Sequence, residues 1–296
     1  MFKNSRRDFL KTTSIVSLSP MLPCVFGRTA RASERGGDKR ILVVVQLDGG
    51  NDGINTVVPF GDDGYGRARN KLRLKTSELH KINDHVGLHR SLKGIKELYD
   101  DGRCSIIQGV GYPNPDRSHF RSMKIWQTGN LKEPELAANG WLGSAMDQRR
   151  IIAESTDPHT DAFYVGDEEV PLALWGRHST TIGMARESDL QLQAASLSST
   201  ESPDNLDLEQ FVCRQFAAAH RASEAFRRQQ ENKPTDVSYP NNSLGQKLKL
   251  VSQLIRSGSE ARVFYTSQSG YDTHSSQLFT HSNLLGSLSR SVKAFL

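Results

Sequence analysis

Cysteine is nearly absent: Cys24, Cys104 and Cys213 are the only three in the chain. Cys24 falls in the leader-like segment described below, so one bridge at most could form beyond it. One bridge is no disulfide framework. Cys104 sits in an apolar stretch, where a buried free thiol is the ordinary expectation. Long apolar runs are also missing. The longest uncharged stretch near the amino end, 12–26, carries five Ser or Thr and two Pro. That is too short and too polar for a spanning helix, which needs about 20 apolar residues. No internal repeat is visible. The glycines do not follow G-x-G-x-x-G, which excludes a dinucleotide fingerprint. The alternating acids and closing Glu of a calcium loop are missing too.

What the chain does have begins at its amino end. Met1 is followed by Phe-Lys-Asn-Ser-Arg6-Arg7-Asp-Phe-Leu-Lys11, then the mostly uncharged segment 12–27, then Thr29-Ala-Arg-Ala32. A twin arginine before a modest apolar segment and a small-x-small site is the pattern of a twin-arginine (Tat) export signal. Cleavage is expected after Ala32, giving a periplasmic or extracellular product with the Tat translocase as its partner in export. Pro23 before Cys24 argues against a lipoprotein site. The leader also explains the charge. It holds six of the 38 basic residues and one of the 33 acids, so 33–296 is left with 32 of each. A nucleic-acid or anionic-membrane surface needs a net or clustered positive field, and neither is evident.

Beyond the leader, 39–47 is a near-continuous apolar run, the pattern of a strand covered on both faces. Leu88, Leu92, Ile95, Leu98 and Tyr99 stand at helical spacing over 88–101, with Gly102 as the stop. Residues 104–110 read as a second strand, 111–116 as a loop, and Ser118 as the N-cap of a helix over 119–128. A helix near Trp141 and short strands at 163–165 and 172–174 follow. The polar composition of 185–203 marks a surface excursion, placed near 185–205. Helices are expected over 206–231, 244–257 (capped by Ser243) and 277–295, with a strand at 261–265. Strand–helix alternation predicts a single α/β domain over 33–296 with a doubly wound, largely parallel sheet flanked by helices.

Three stretches carry residue types that do chemistry. Asp48 and Asp52 flank Gly49-Gly50 directly after the first strand, in Gln46-Leu-Asp-Gly-Gly-Asn-Asp-Gly-Ile-Asn55. Carboxylates there can hold a cation while glycine lets a ligand approach, or the Asp and Asn side chains simply cap their own turn. Asp272, His274 and His281 are the densest cluster of metal-ligand types in the chain. Were both histidines on one helix, seven residues of rise would part them by about 10 Å, too far for one ion. His274 is therefore expected in a loop, or the two serve different centres. Ser118 and His119 form the third stretch. A hydroxyl at a helix amino end can be a nucleophile beside free N–H groups, or only an N-cap. Arg117 and Arg121 could hold an anionic group, or be solvated.

Taken in order, the export signal, Leu47-Asp-Gly-Gly-Asn-Asp-Gly-Ile-Asn-Thr-Val-Val-Pro59, Pro113-Asn-Pro-Asp-Arg-Ser-His-Phe120, Trp126-Gln-Thr-Gly129, Gly140-Trp-Leu-Gly143 and Gly270-Tyr-Asp-Thr-His-Ser-Ser-Gln277 resemble the bacterial domain of unknown function 1501 family. That family is remotely similar to sulfatases and alkaline phosphatases. The resemblance implies an alkaline-phosphatase-like core with metal at the strand ends and hydrolysis of a small anionic phosphate or sulfate ester. By position it implies Asp48, with Asp52, as first-strand metal ligands and Asp272, His274 and His281 as later ones. Ser118 would be the nucleophile with His119 beside it, and the ion a divalent metal such as Zn, Ca or Mg. Two departures stand out. The Asp272-x-His274 spacing is not the Asp-x-x-x-His of alkaline phosphatases, and the chain reaches Leu296 without the family's further strand and Thr-Asp-His-Gly motif. The resemblance therefore implies a carboxyl-terminally incomplete domain, or a non-catalytic binding or assembly protein that keeps the fold without the metal centre.

Overall fold

The computed structural model describes residues 40–152, 159–190, 206–232 and 237–296. The expected export signal lies outside them, as does 191–205, most of the expected polar excursion.

A four-stranded, all-parallel sheet forms the centre, in the order β1 (Leu42–Leu47), β7 (Val263–Gln268), β5 (Ala162–Val165), β6 (Thr181–Met184). Alternation along the strands explains why both faces are covered. Val43, Phe163, Val165 and Phe264 point to one face, where Phe226, Leu250, Val251, Leu254 and Phe295 pack on them. These come from the helices α4 (Leu206–Asn232), α5 (Ser243–Arg256) and α6 (Gln277–Phe295). Leu42, Val44, Tyr164, Val263 and Tyr265 point to the other face, against Leu142 and Met146 of α3 (Trp141–Ile152) and the turn Leu172–Leu174. The α/β fold with a parallel sheet flanked by helices is thus as expected. Before α3 come α1 (Lys93–Asp100) and α2 (His119–Thr128). A small antiparallel sheet, β2 (Val57–Val58), β4 (Gly87–Leu88) and β3 (His80–Lys81), sits beside the first turn. No helix among the described residues is long and apolar enough to cross a membrane.

Several local expectations need correction. Residues 104–110 form no strand: Ile107 and Val110 are 81% and 76% exposed, and among the described residues no backbone partner pairs with the segment. Its apolar sequence fits a sheet, but β1 pairs only with β7 among the described residues. Cys104 is accordingly half-buried and not buried, and neither it nor Cys213 is in a disulfide. Residues 172–174 make a 3-10 turn, because Pro171 sets its start and the Leu174 and Trp175 amides close onto Pro171 and Leu172 carbonyls. Helix α1 starts at Lys93, leaving Leu88 in β4 and Leu92 as its flank, although both are buried as their spacing predicts. Asn242, not Ser243, caps α5, its side chain accepting from the Gly245 amide at 2.9 Å.

The candidate functional site

The carboxyl end of β1 continues into a turn that brings three distant segments together. Gly49 and Gly50 both take left-handed backbone angles, φ +95° and +80°. Space matters there as much as angle. A Cβ on Gly49 would lie 2.8 Å from the Asp272 amide nitrogen, and one on Gly50 would lie 2.5 Å from Cε1 of His119. The glycine pair thus lets the loop after β7 and the amino end of α2 touch the turn. Tyr271 reinforces this, its amide donating to the Asp48 carbonyl at 3.2 Å.

Within this corner, His119, Asp272 and His274 converge. Asp272 lies between the two rings, with Oδ2 3.0 Å from His274 Nε2 and Oδ1 3.8 Å from His119 Nε2. All three are solvent-accessible, His274 most of all. The loop that carries two of them is conformationally unusual, since His274 and Ser276 hold φ of +46° and +51°. Left-handed angles at non-glycine residues are uncommon and cluster at functional sites. Asp48 is steadied from behind: Gln46 donates to its Oδ1 at 3.3 Å, and the Tyr265 hydroxyl donates to Gln46. Burial, joined by the nearby Asp48 charge and opposed by Trp126, pushes the Tyr265 phenol up to about 12, so it stays a donor.

The other expected ligands face inward. Asp52 caps the turn Gly53–Thr56 through the Asn55 amide, pairs with Arg69 and accepts from Gln277, both at 2.5 Å. Burial alone would raise its pKa, but Arg69, the Asn55 amide and Gln277 outweigh it, holding the carboxyl below its ordinary value. His281 is 3% exposed, and its Nε2 lies 2.9 Å from Asn51 Oδ1 and 3.4 Å from Thr56 Oγ1. Burial is the main cause of its lowered pKa, and Asp52 only partly offsets it. His274 is in the loop and His281 is on α6, so the two histidines do not share a centre. Ser118 occupies the N-cap position of α2, yet its side chain makes no capping bond.

A divalent cation requires several nitrogen or oxygen donors around one point. Among the described residues no group of three or more His, Cys, Asp and Glu is assembled in that way. His119, Asp272 and His274 are the donor types a borderline cation takes, but their 3.8 and 3.0 Å contacts run to different oxygens of Asp272. As placed, however, they are paired with each other. Arg69, Asn51 and Gln277 were not singled out from sequence. Asn51 and Gln277 lie inside the quoted motifs and could have been, whereas nothing marks Arg69, seventeen residues after Asp52. Comparison with protein-family models, with curated proteins and with solved structures finds no match for this chain.

Proposed function

We propose that this chain is an exported, sulfatase- and alkaline-phosphatase-like domain that acts on a small phosphate or sulfate ester at the corner formed by the β1 turn, Ser118–His119 and Asp272–His274. The observation that carries this reading is the meeting of three segments far apart in sequence at the carboxyl end of a parallel sheet, where open α/β folds bind ligands. Export rests on Arg6-Arg7 and the segment to Ala32. His119, Asp272 and His274 would hold a divalent metal, which when bound polarises an ester oxygen. Asp272, 3.0 Å from His274 and 3.8 Å from His119, would join the two imidazoles in that set. The Ser118 hydroxyl, uncommitted to capping, would approach the ester from the amino end of α2.

Purified protein dialysed against zinc and assayed on p-nitrophenyl phosphate and p-nitrophenyl sulfate tests this directly. One metal per chain and turnover that falls at least a hundredfold in Asp272→Asn are expected. Metal-free protein with no turnover on either ester refutes the hydrolase reading. One observation favours a rival, a binding or assembly protein without catalysis. Asp52 and His281, two of the five expected ligands, serve internal contacts, and His119, Asp272 and His274 are open to solvent on a surface that would not exclude water. Stoichiometric metal without turnover supports that rival.

A further inference from the structure

A concavity borders the β7–α6 loop, with Ser267, Gln268 and Ser269 in its lining. It is a cleft of about 420 Å³ between α5, α6 and the end of β7, a size that suits a small organic ligand. Its character is set by Lys247, Ser243, Ser269, Thr280, Asn283 and Phe279, and no acid is among its lining residues. Lys247 is half-buried, and its Nζ donates to the Ser267 carbonyl at 3.2 Å. That bond uses one of three ammonium donors and neutralises no charge. Lys247 is the fifth residue of α5, one turn in from its amino end, and neither α5 nor α6 has an acidic residue in its first turn. A half-buried ammonium with no acid among the residues lining its cleft is a natural partner for an anion there.

The rest of the lining supplies the other half of a ligand's recognition. Phe279 is 74% exposed at the mouth, and Leu244 and Leu284 form the apolar floor. Thr280, Asn283, Leu284 and Ser287 fall at the i, i+3, i+4, i+7 spacing of one face of α6, which therefore offers neutral hydrogen-bonding groups beside the apolar floor. We propose that this cleft binds an organic oxyanion: a phosphate or carboxylate group on Lys247, carried on an apolar body that packs on Phe279 and Leu284. The site does not depend on the metal or ester chemistry proposed above. Ser269 lines the cleft, whereas Asp272, three residues on, belongs to the other corner, so the two sites border one loop.

Titration with phenyl phosphate, benzoate and neutral benzyl alcohol, followed by amide chemical shifts and calorimetry, tests the proposal. Both anions are expected to shift Lys247, Ser269 and Thr280, with benzyl alcohol at least tenfold weaker. Lys247→Met is expected to weaken both anions at this cleft at least tenfold, Lys247→Arg to retain them, and Asp272→Asn to leave the benzoate-induced shifts of Lys247, Ser269 and Thr280 unchanged. Unfolding midpoints within a few degrees of the parent show that the variants are folded. Absence of binding, equal binding of the neutral probe, or unchanged affinity in folded Lys247→Met overturns the proposal. Anion binding lost in Asp272→Asn and kept in Lys247→Met places the ligand at the ester corner and overturns it as well.

Discussion

Acidification between pH 6.5 and 4 should destabilise this protein through His89. The ring is 2% exposed and stands edge-on to His281, with centroids 5.6 Å apart, and its chain neighbours Leu88 and Leu92 belong to the buried apolar cluster with Tyr271 and Leu285. Its Nδ1 accepts the Ser91 amide at 3.0 Å, which assigns the proton of the neutral ring to Nε2. Protonation would put a second N–H against that donor and a charge into the cluster. Burial, then the neighbouring His281, Arg90 and His80, lower its pKa to about 4 from an ordinary 6.5. Between those values the unfolded chain binds a proton that the folded one refuses, so stability rises with pH. The contribution is complete above pH 6.5 and is lost as pH falls toward 4. A gap of about 2.5 units at 1.36 kcal/mol each amounts to roughly 3 kcal/mol.

The two paired, part-buried aspartates Asp52 and Asp161 act below this window. Both are held below their ordinary value of 3.8, so what they contribute disappears at lower pH. His281, lowered in the same direction, adds to the slope. The assay is urea unfolding at pH steps from 7.5 to 4, for the parent and for His89→Asn. An Asn Oδ1 can still accept from the Ser91 amide, so the variant should fold, at a cost of about 1–2 kcal/mol at pH 7.5 for lost packing. Its loss between pH 7.5 and 4 should be smaller than the parent's by roughly 3 kcal/mol. Parallel pH profiles for the two proteins refute the reasoning, because the buried neutral ring would then not be the source.

Asp147 is 8% exposed and accepts the amides of Arg177, His178 and Ser179 at 2.6, 2.9 and 2.7 Å, so Asp147→Ala should cost about 3 kcal/mol, read as a lowered urea midpoint. A Cβ at Gly143 would collide with the Trp175 carbonyl, which is backbone and cannot rotate away; Gly143→Ala should lose at least about 3 kcal/mol, whereas Gly111→Ala, in open space, should be within ~0.5 kcal/mol of the parent by the same measurement. Gly50→Ala should displace His119 while leaving the sheet intact, seen as shifted His119 ring resonances against unchanged Phe264 and Tyr265 signals. Unmoved His119 resonances would mean that the turn and α2 do not meet.

Legibility followed the reach of each physical signal. Helix α2 and helix α6 run over 119–128 and 277–295 as read from sequence, because glycine and proline punctuation is local. So is the run of β1, whose both-face apolarity matched a parallel strand. Residues 104–110 have the same local pattern and fail, since a strand exists only with a partner, and partners are not local. β6, Thr181–Met184, was missed for a related reason: Thr and Gly make a weak pattern, and pairing with β5 supplies the order. At the site, residue types located the corner, but burial decided their use. His281 and His274 are alike in sequence, and only packing separates the buried ring on α6 from the exposed one in the loop.

The two acids of the opening turn show what the motif encodes. Asp52 sits four residues after Asp48, yet it faces Arg69 and Gln277, tying the β1 turn to α6, while the Asp48 carboxyl accepts from Gln46 and its carbonyl from the Tyr271 amide. The Gly-Gly between them is not filler for a polar turn. Each glycine is required by a specific neighbour, Gly49 by Asp272 and Gly50 by His119, and neither neighbour is near in sequence. A turn selected only for polarity would not need φ +95° and +80° at two successive positions beneath two potential ligands. The spacing Asp-Gly-Gly-Asn-Asp therefore joins an acid committed to internal contacts, Asp52, to the glycine clearance that lets the three segments close on each other.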